Sequence, residues 1–375
     1  MPRLLLLSLV CLGLPASALA SSLNIDSQGL IGAYYGLAHS EGSHTPQFAN
    51  RGVARVDGQV SIGYDASAAD SLRLVNDYTI LFRTNDKIYR DGDWRYYPYL
   101  QWRNQDYGTF DLGYNYNVAL LFHQGAKEIT FLGIRDSNAT YFLSNANWFN
   151  GKKRTYFYTP KSTAIMNDGR SAKLNYISPE FWRSRIGFTY TPDSANRRGM
   201  TSRYVDYDGR DDGYVFALQH YEYLWGGKLT LAAGFGLFES TTKETSFSAG
   251  YTNGGWNFGF GYKKAYVDGD KNAVSTTAVS SYLPAYFDNY RESSSWDISL
   301  GYDFGRFKTN LAYLNSQADH TADRDQLLIQ SNVFKLQYGL ELYWMNVWLN
   351  SDGDTRLKHT DATGYAIISG IGWRF

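Results

Sequence analysis

The chain has 375 residues, with 36 Lys+Arg against 36 Asp+Glu and a formal net charge of zero. That balance excludes the basic footprint of a nucleic-acid binder, and the one cysteine, Cys11, excludes a disulfide framework or a cysteine metal site. Aromatic residues reach 17% while mean hydropathy is −0.41, as expected of strands with one apolar and one polar face.

The chain opens on "MPRLLLLSLVCLGLPASALA". Arg3, an apolar run over 4–14 and the small residues Ala18 and Ala20 have the layout of a secretory signal peptide. Cleavage is expected after Ala20, leaving 21–375 as the mature domain. The apolar run is shorter than the ~20 residues a helix needs to span a bilayer. Removal of 1–20 takes away Cys11, which lacks the small residues just before it that a lipid anchor would require.

Beyond the leader, a period of two recurs to the last residue. "VDGQVSIGY" sets Val60, Ile62 and Tyr64 against Asp57, Gln59 and Ser61. "WNFGFGYKK" sets Trp256, Phe258, Phe260 and Tyr262 against Asn257, Gly259, Gly261 and Lys263. "WDISLGYDF", "RFKTNLAYL" and "KLTLAAGFGLF" behave alike, and "GYAIISGIGWRF" ends the chain on Ile371, Trp373 and Phe375. Alternation is the mark of strands with two different faces, and few segments carry the 3.6-residue period of a helix.

The connections fall into two lengths. Short turns are expected at 65–70, 178–182, 224–228, 252–255 and 303–306, and longer polar stretches at 38–50, 84–95, 192–212, 267–294, 315–326 and 350–362. This asymmetry predicts an all-β transmembrane antiparallel barrel with short periplasmic turns and long extracellular loops. At roughly 10 residues per crossing the mature chain accommodates about 16 strands. A β-sandwich would also alternate, but its inner faces must be apolar, whereas the faces here carry Gly, Ser, Asn, Lys and Asp. A barrel of that width holds water unless something fills it.

One connection, between "YGTFDLGYN" and "RSAKLNYIS", exceeds fifty residues, and such loops are usually functional. The stretch 118–161 is expected to fold into the lumen and narrow it. Strand phase makes Arg55, Arg73 and Arg103 inward, a basic wall across neighbouring strands, with Glu128 and Asp136 of the loop as the opposing acids. A transverse field of that kind would favour charged and dipolar solutes.

"GTFDLGYNYNV" before the long loop, and "RSAKLNYISPEFWRSRIGFTYTP" after it, resemble the Gram-negative trimeric porin family. Tyr176, Ser178, Pro179 and Phe181 match the turn between its sixth and seventh strands, and the terminal Phe matches its last strand. The resemblance implies a general diffusion porin with a third loop folded inward. It also implies a homotrimer in the outer membrane in contact with lipid and lipopolysaccharide, passing small hydrophilic solutes without a cofactor. Trp373 and Phe375 would serve as the signal read by the barrel-assembly machinery. The acidic Pro-Glu-Phe-Gly-Gly tip of the family's third loop is absent, and Lys152, Lys153 and Arg154 stand in a loop rich in aromatics.

Two other functions fit the composition less well. An outer-membrane hydrolase would need His, Ser, Asp or Asn together at a rim. Of six histidines, His39, His44, His320 and His359 are expected in loops, His123 near the long loop's start and His220 on a strand. A partly closed structural or adhesive barrel could use the acidic loops at 205–213, 268–272 and 351–355 to hold divalent cations.

Overall fold

A computed structural model of the chain describes residues 23–42, 47–65, 67, 70–84, 93–130, 162–166, 168–192, 212–238, 242–267, 292–318, 324–352 and 362–375. The leader, Asp136, residues 205–211, 268–272 and 353–355 of the acidic loops, and His44, His320 and His359 lie outside the described residues.

The alternating segments become strands. In chain order they are β1 (Leu23–Gly42), β2 (Gln47–Asp65), β3 (Ser71–Thr84), β4 (Asp93–Asn104) and β5 (Gly108–Tyr114). A short helix, α1 (Val118–Phe122), opens the long connection, which returns at β6 (Ala172–Ile177). Then follow β7 (Ser184–Thr191), β8 (Gly213–Leu224), β9 (Gly227–Phe238), β10 (Thr242–Asn253), β11 (Trp256–Val267) and β12 (Ser293–Asp303). The chain finishes with β13 (Phe307–Ala318), β14 (Arg324–Lys335), β15 (Leu340–Asp352) and β16 (Ala362–Arg374).

Each strand pairs antiparallel with its sequence neighbours, and β1 pairs with β16 from Leu30↔Arg374 to Gly42↔Ala362. A closed sheet of sixteen strands leaves no edge and satisfies its backbone internally, the condition for crossing hydrocarbon with strands. Among the described residues no helix is long and apolar enough to cross. His39, expected in a loop, is in β1.

The turns expected at 65–70, 178–182, 224–228, 252–255 and 303–306 all fall at one end. A two-residue turn joins β8 to β9 through Trp225 (φ 49°) and Gly226 (φ 75°). Two successive positive φ values suit the twist of a hairpin, and Trp225 is left 88% exposed in the interfacial girdle. At the same end the seam is closed by Phe375, whose amide donates to Gly29 O at 3.1 Å while its carbonyl accepts from Gly29 N at 2.9 Å.

The outward face is apolar, as expected, with Tyr35, Leu37, Phe247, Leu300, Ile367 and Trp373 exposed. The inward face departs from the expectation on β13–β16 and β1. There Leu314, Leu327, Ile329, Val333, Met345 and Val347 point inward and are buried, in one cluster with Tyr34, Ala38 and Ile368. The lumen therefore has an apolar sector as well as a polar one. Alternation reports that two faces differ, and it carries no label for which face meets water.

Candidate functional site: the barrel lumen

The long connection runs along the inside of the wall. Asn117 starts it: its carbonyl accepts from Leu120 N at 2.9 Å, and its amide donates to Ile165 O at 3.0 Å and Asp168 Oδ1 at 2.7 Å. One side chain thus caps α1 and ties the outgoing arm to the returning one. Val118 N donates to Thr189 Oγ1 of β7 at 3.0 Å, and Val118, Ala119 and Phe122 pack with Val215 and Ala232 of β8 and β9.

From there the arm crosses strand after strand. Gln124 N donates to Ser248 Oγ of β10 (2.9 Å), Ala126 N to Asp297 Oδ1 of β12 (2.7 Å) and Lys127 N to Ser299 Oγ (2.8 Å). Asn310 of β13 donates to Lys127 O at 2.9 Å, and Thr130 Oγ1 reaches Met345 Sδ of β15 at 3.3 Å. A loop inside a protein must satisfy its own backbone, and here inward Ser, Asp and Asn side chains do so. Glycine lets the arm come this close: a Cβ at Gly259 would lie 2.4 Å from Gly125 O, and one at Gly261 2.3 Å from Thr163 Oγ1.

Asp297 is the node of the arrangement. It accepts from Ala126 N on the outgoing arm and from Thr163 Oγ1 on the returning arm, and that hydroxyl also lies 3.0 Å from His123 Nε2. Ser295 Oγ donates to Ser162 O at 3.1 Å beside it. Further along, Asp168 and Lys173 form a fully buried ion pair at 2.6 Å, and Thr191 Oγ1 donates to the same carboxylate at 3.1 Å. The inward inclination of the third loop thus holds over 118–130.

On the wall of β2 and β3, Arg55, Asp57, Arg73 and Asp77 keep contact with solvent, whereas the inward Gln101, Asp111, Lys173 and Asn175 of β4–β6 are buried. Gln28 donates to Gln59 at 3.2 Å, and Gln59 to Asp77 at 2.8 Å. Asp77 also pairs with Arg170 at 3.1 Å. The Arg170 guanidinium lies between two rings, 4.2 Å from the Tyr97 centroid and 4.0 Å from that of Tyr116. One tier away Arg55 Nε pairs with Asp57 at 2.6 Å, and Thr79 Oγ1 donates to the same Asp57 at 2.6 Å.

The three expected arginines do not stack as one wall. Arg73 pairs with Asp65 and with Asp26 near the short-turn mouth, and Arg103, one residue from the end of β4, is exposed at that mouth. Arg55 stands opposite Leu81, eight positions along β3 from Arg73, or about 26 Å at ~3.3 Å per residue. Phase alone assigns a face; height along the barrel needs the register. Glu128 is exposed on the loop arm between the anchors on β13 and β15.

A family model described as Gram-negative porin matches residues 7–354. The chain belongs to the Gram-negative porin family. A comparison with curated proteins finds no match. Among solved structures, the outer membrane channel DcaP of Acinetobacter baumannii is similar with a TM-score of 0.58 at 9% identity, covering 95% of this chain and 98% of that one. The anion-selective porin from Comamonas acidovorans gives 0.55 at 11% identity, covering 94% and 100%. The trimer form of OmpT, an outer membrane protein of Vibrio cholerae, gives 0.54 at 11% identity, covering 95% and 100%. At such identities the likeness is one of fold.

The porin is an outer-membrane diffusion channel, and its geometry shows how a sixteen-strand barrel is narrowed. The arm occupies the side of β7–β13 and reaches β15, and what remains polar and solvent-accessible is the side of β2 and β3 with the Arg103 end of β4. Sequence reasoning missed Arg170, Asp297, Thr163 and the Asp168–Lys173 pair. Asp297 could have been found from its inward phase in "WDISLGYDF". Arg170 carried no local signal, because its rings come from β4 and the loop start, far away in sequence.

Two of the histidines have polar partners that the sequence does not show. His123 joins the Thr163–Asp297 node. His220 Nδ1 lies 2.9 Å from Ser184 Oγ and its Nε2 lies 3.5 Å from Glu222, which is itself paired with Arg183.

Proposed function

We propose that small hydrophilic solutes pass along the β2–β4 side of the lumen, with Arg55, Arg73, Arg103 and Arg170 among the side chains that line the path. Glu128 stands on the loop arm inside the barrel, and Asp136 lies outside the described residues. The observation that carries this is the contrast between two stretches of the inner wall: Arg55, Asp57, Arg73 and Asp77 of β2 and β3 retain 17–26% side-chain exposure, while Met345, Val347 and Ile368 of β15 and β16 retain none. Arg55, Arg73 and Arg170 each pair with an acid on their own wall, so the transverse field is weaker than an arginine wall facing loop acids would create. Selectivity between cations and anions is accordingly modest, and neutral or zwitterionic solutes are the natural cargo.

The channel does no bond-making in this reading. The Ser184–His220–Glu222 contacts lie on the outward face at the short-turn end, where hydrogen-bonded polar side chains serve the interfacial girdle. Residues 1–20 act as the export leader. Trp373 and Phe375 are read by the barrel-assembly machinery, and the flat outward face of β1 (Ile31, Ala33, Tyr35, Leu37) suits assembly as a homotrimer within lipid and lipopolysaccharide.

Cysteine accessibility in planar bilayers tests the path, because the mature chain has no cysteine of its own. Thr79→Cys should lose conductance when treated with a charged, membrane-impermeant thiol reagent, and Val347→Cys should not. The reverse pattern overturns this reading.

A further inference from the structure

Half-way along β3 a row of side chains crosses the inner wall along the line of pairing. Gln28, Gln59, Asp77 and Tyr97 stand opposite one another on β1 to β4. Three of them are joined in sequence: Gln28 donates to Gln59, and Gln59 donates to Asp77 Oδ1 at 2.8 Å. Arg170 closes the row from the other side, pairing with Asp77 Oδ2 at 3.1 Å. It comes from the returning loop arm, two residues before β6, so the row ends where the loop rejoins the wall.

The Arg170 guanidinium is fixed before any solute arrives. The rings of Tyr97 and Tyr116 lie against it at 4.2 and 4.0 Å, which leaves bonding to its planar N–H edge. Neither member of the pair is used up. Asp77 takes one of these partners on each oxygen, where a carboxylate offers about four acceptor sites, and a guanidinium has N–H groups beyond the one turned to Asp77. Asp77 and Arg170 keep 19% and 16% side-chain exposure. A solute with a single charge is attracted by one partner and repelled by the other; a solute carrying both charges side by side suits both.

We propose that the Asp77–Arg170 pair is a recognition site for α-amino acids, solutes whose ammonium and carboxylate sit on one carbon, a step that rests on the β2–β4 path above. Bond lengths place the nitrogen and the carboxyl carbon of such a solute about 2.5 Å apart. Its ammonium meets Asp77 while its carboxylate takes the edge of Arg170 through two parallel bonds. An extended γ-amino acid holds the same groups about 5 Å apart and reaches both partners only by folding, at a cost in conformational freedom. Binding here is weak, because conduction needs a solute to leave as well as to enter.

Osmotic swelling of liposomes carrying the purified mature protein tests the site, with α-aminobutyrate against γ-aminobutyrate, isomers of equal composition and net charge. The wild type should admit the α isomer about two- to tenfold faster, the effect of one net hydrogen bond. Asp77→Asn and Arg170→Gln each remove one charge of the pair and should bring that ratio close to one. The ratio is taken within one preparation, so a change in barrel yield cancels. A wild-type preference that survives either substitution overturns the site. So do equal rates, or a faster γ isomer, in the wild type, a result that needs no variant to fold. Arabinose separates that failure from failure of the path: if a charged thiol reagent on Thr79→Cys blocks its entry, the path stands without the site. Arabinose entry that the reagent does not slow removes the β2–β4 path itself, and the site with it.

Discussion

Asp297→Ala should release the loop arm from the lumen wall without unfolding the barrel. In the wild type the carboxylate accepts from Ala126 N at 2.7 Å and from the Thr163 hydroxyl, and it is 4% exposed. Hydrogen bonds to a charged acceptor contribute ~1.5–3 kcal/mol each. Alanine removes both and leaves the buried Ala126 amide without its acceptor, so the local docking free energy falls by roughly 3–6 kcal/mol. At 1.4 kcal/mol per factor of ten, the released form rises by about two to four orders of magnitude. The arm stays tethered, because α1 still packs on β8 and β9 and Asn117 still joins the two arms.

Hydrogen exchange of the Ala126 amide measures the release directly, and single-channel recordings should show a larger or noisier open current. Barrel stability should hardly change, since β12 is bound to β11 and β13 through its backbone. Asp297→Asn keeps an acceptor for Ala126 but loses the charge, and should fall between the two. Equal protection of Ala126 in the wild type and in Asp297→Ala would refute the claim that this carboxylate pins the loop.

Gly259→Ala should act on the same arm, because its Cβ would meet the backbone oxygen of Gly125 at 2.4 Å and that atom has no rotamer to yield; limited proteolysis of the loop would detect the displacement. Arg170→Met uncovers Asp77 and should move the reversal potential toward cation preference, whereas Asp77→Asn should move it the other way. Unchanged potentials in both would place the pair off the conduction path. Deleting Phe375 removes two hydrogen bonds to Gly29 and one aromatic side chain, worth ~1.5–3 kcal/mol if fully buried, yet outer-membrane yield should collapse with periplasmic accumulation; normal yield would reject the assembly-signal role. Glu180 in the β6–β7 turn accepts from Tyr221 OH at 2.6 Å and pairs with Arg185, and these partners hold its carboxyl below the usual glutamate range. Its contribution is therefore present above the ordinary glutamate pKa and lost as pH falls through the lowered value, which exchange of the Ile186 amide across acid pH would follow.

Much of this fold was legible because a barrel writes its phase into every strand. Tyr35, Leu37, Ile367 and Trp373 face outward as alternation places them, and Arg55, Asp57, Arg73 and Asp77 face inward. The short turns and the long connections fell at opposite ends for the same reason, since antiparallel neighbours must alternate ends. What alternation could not supply was height. Arg55 and Arg73 share a face and adjacent strands, and only the pairing of Arg55 with Leu81 shows that a ladder of them cannot form.

The site was half legible for a different reason. Inward Ser248, Asp297, Ser299 and Asn310 look like the lining of a wet pore, because that is where small polar residues of a barrel usually point. Here they are spent on the backbone of the loop arm, and the glycines between them are the space the arm occupies. A polar inward residue therefore has two possible partners, water or loop backbone, and its type does not distinguish them. The same ambiguity operates on β14 and β15, where Ile329 and Met345 point inward while Gln330 and Asn346 point out. A residue's face is set by strand phase, but its solvent is set by what packs against that face. In this barrel the stretches of the inner wall meet different surroundings, and that difference, more than the count of charges, favours the proposed path along β2–β4.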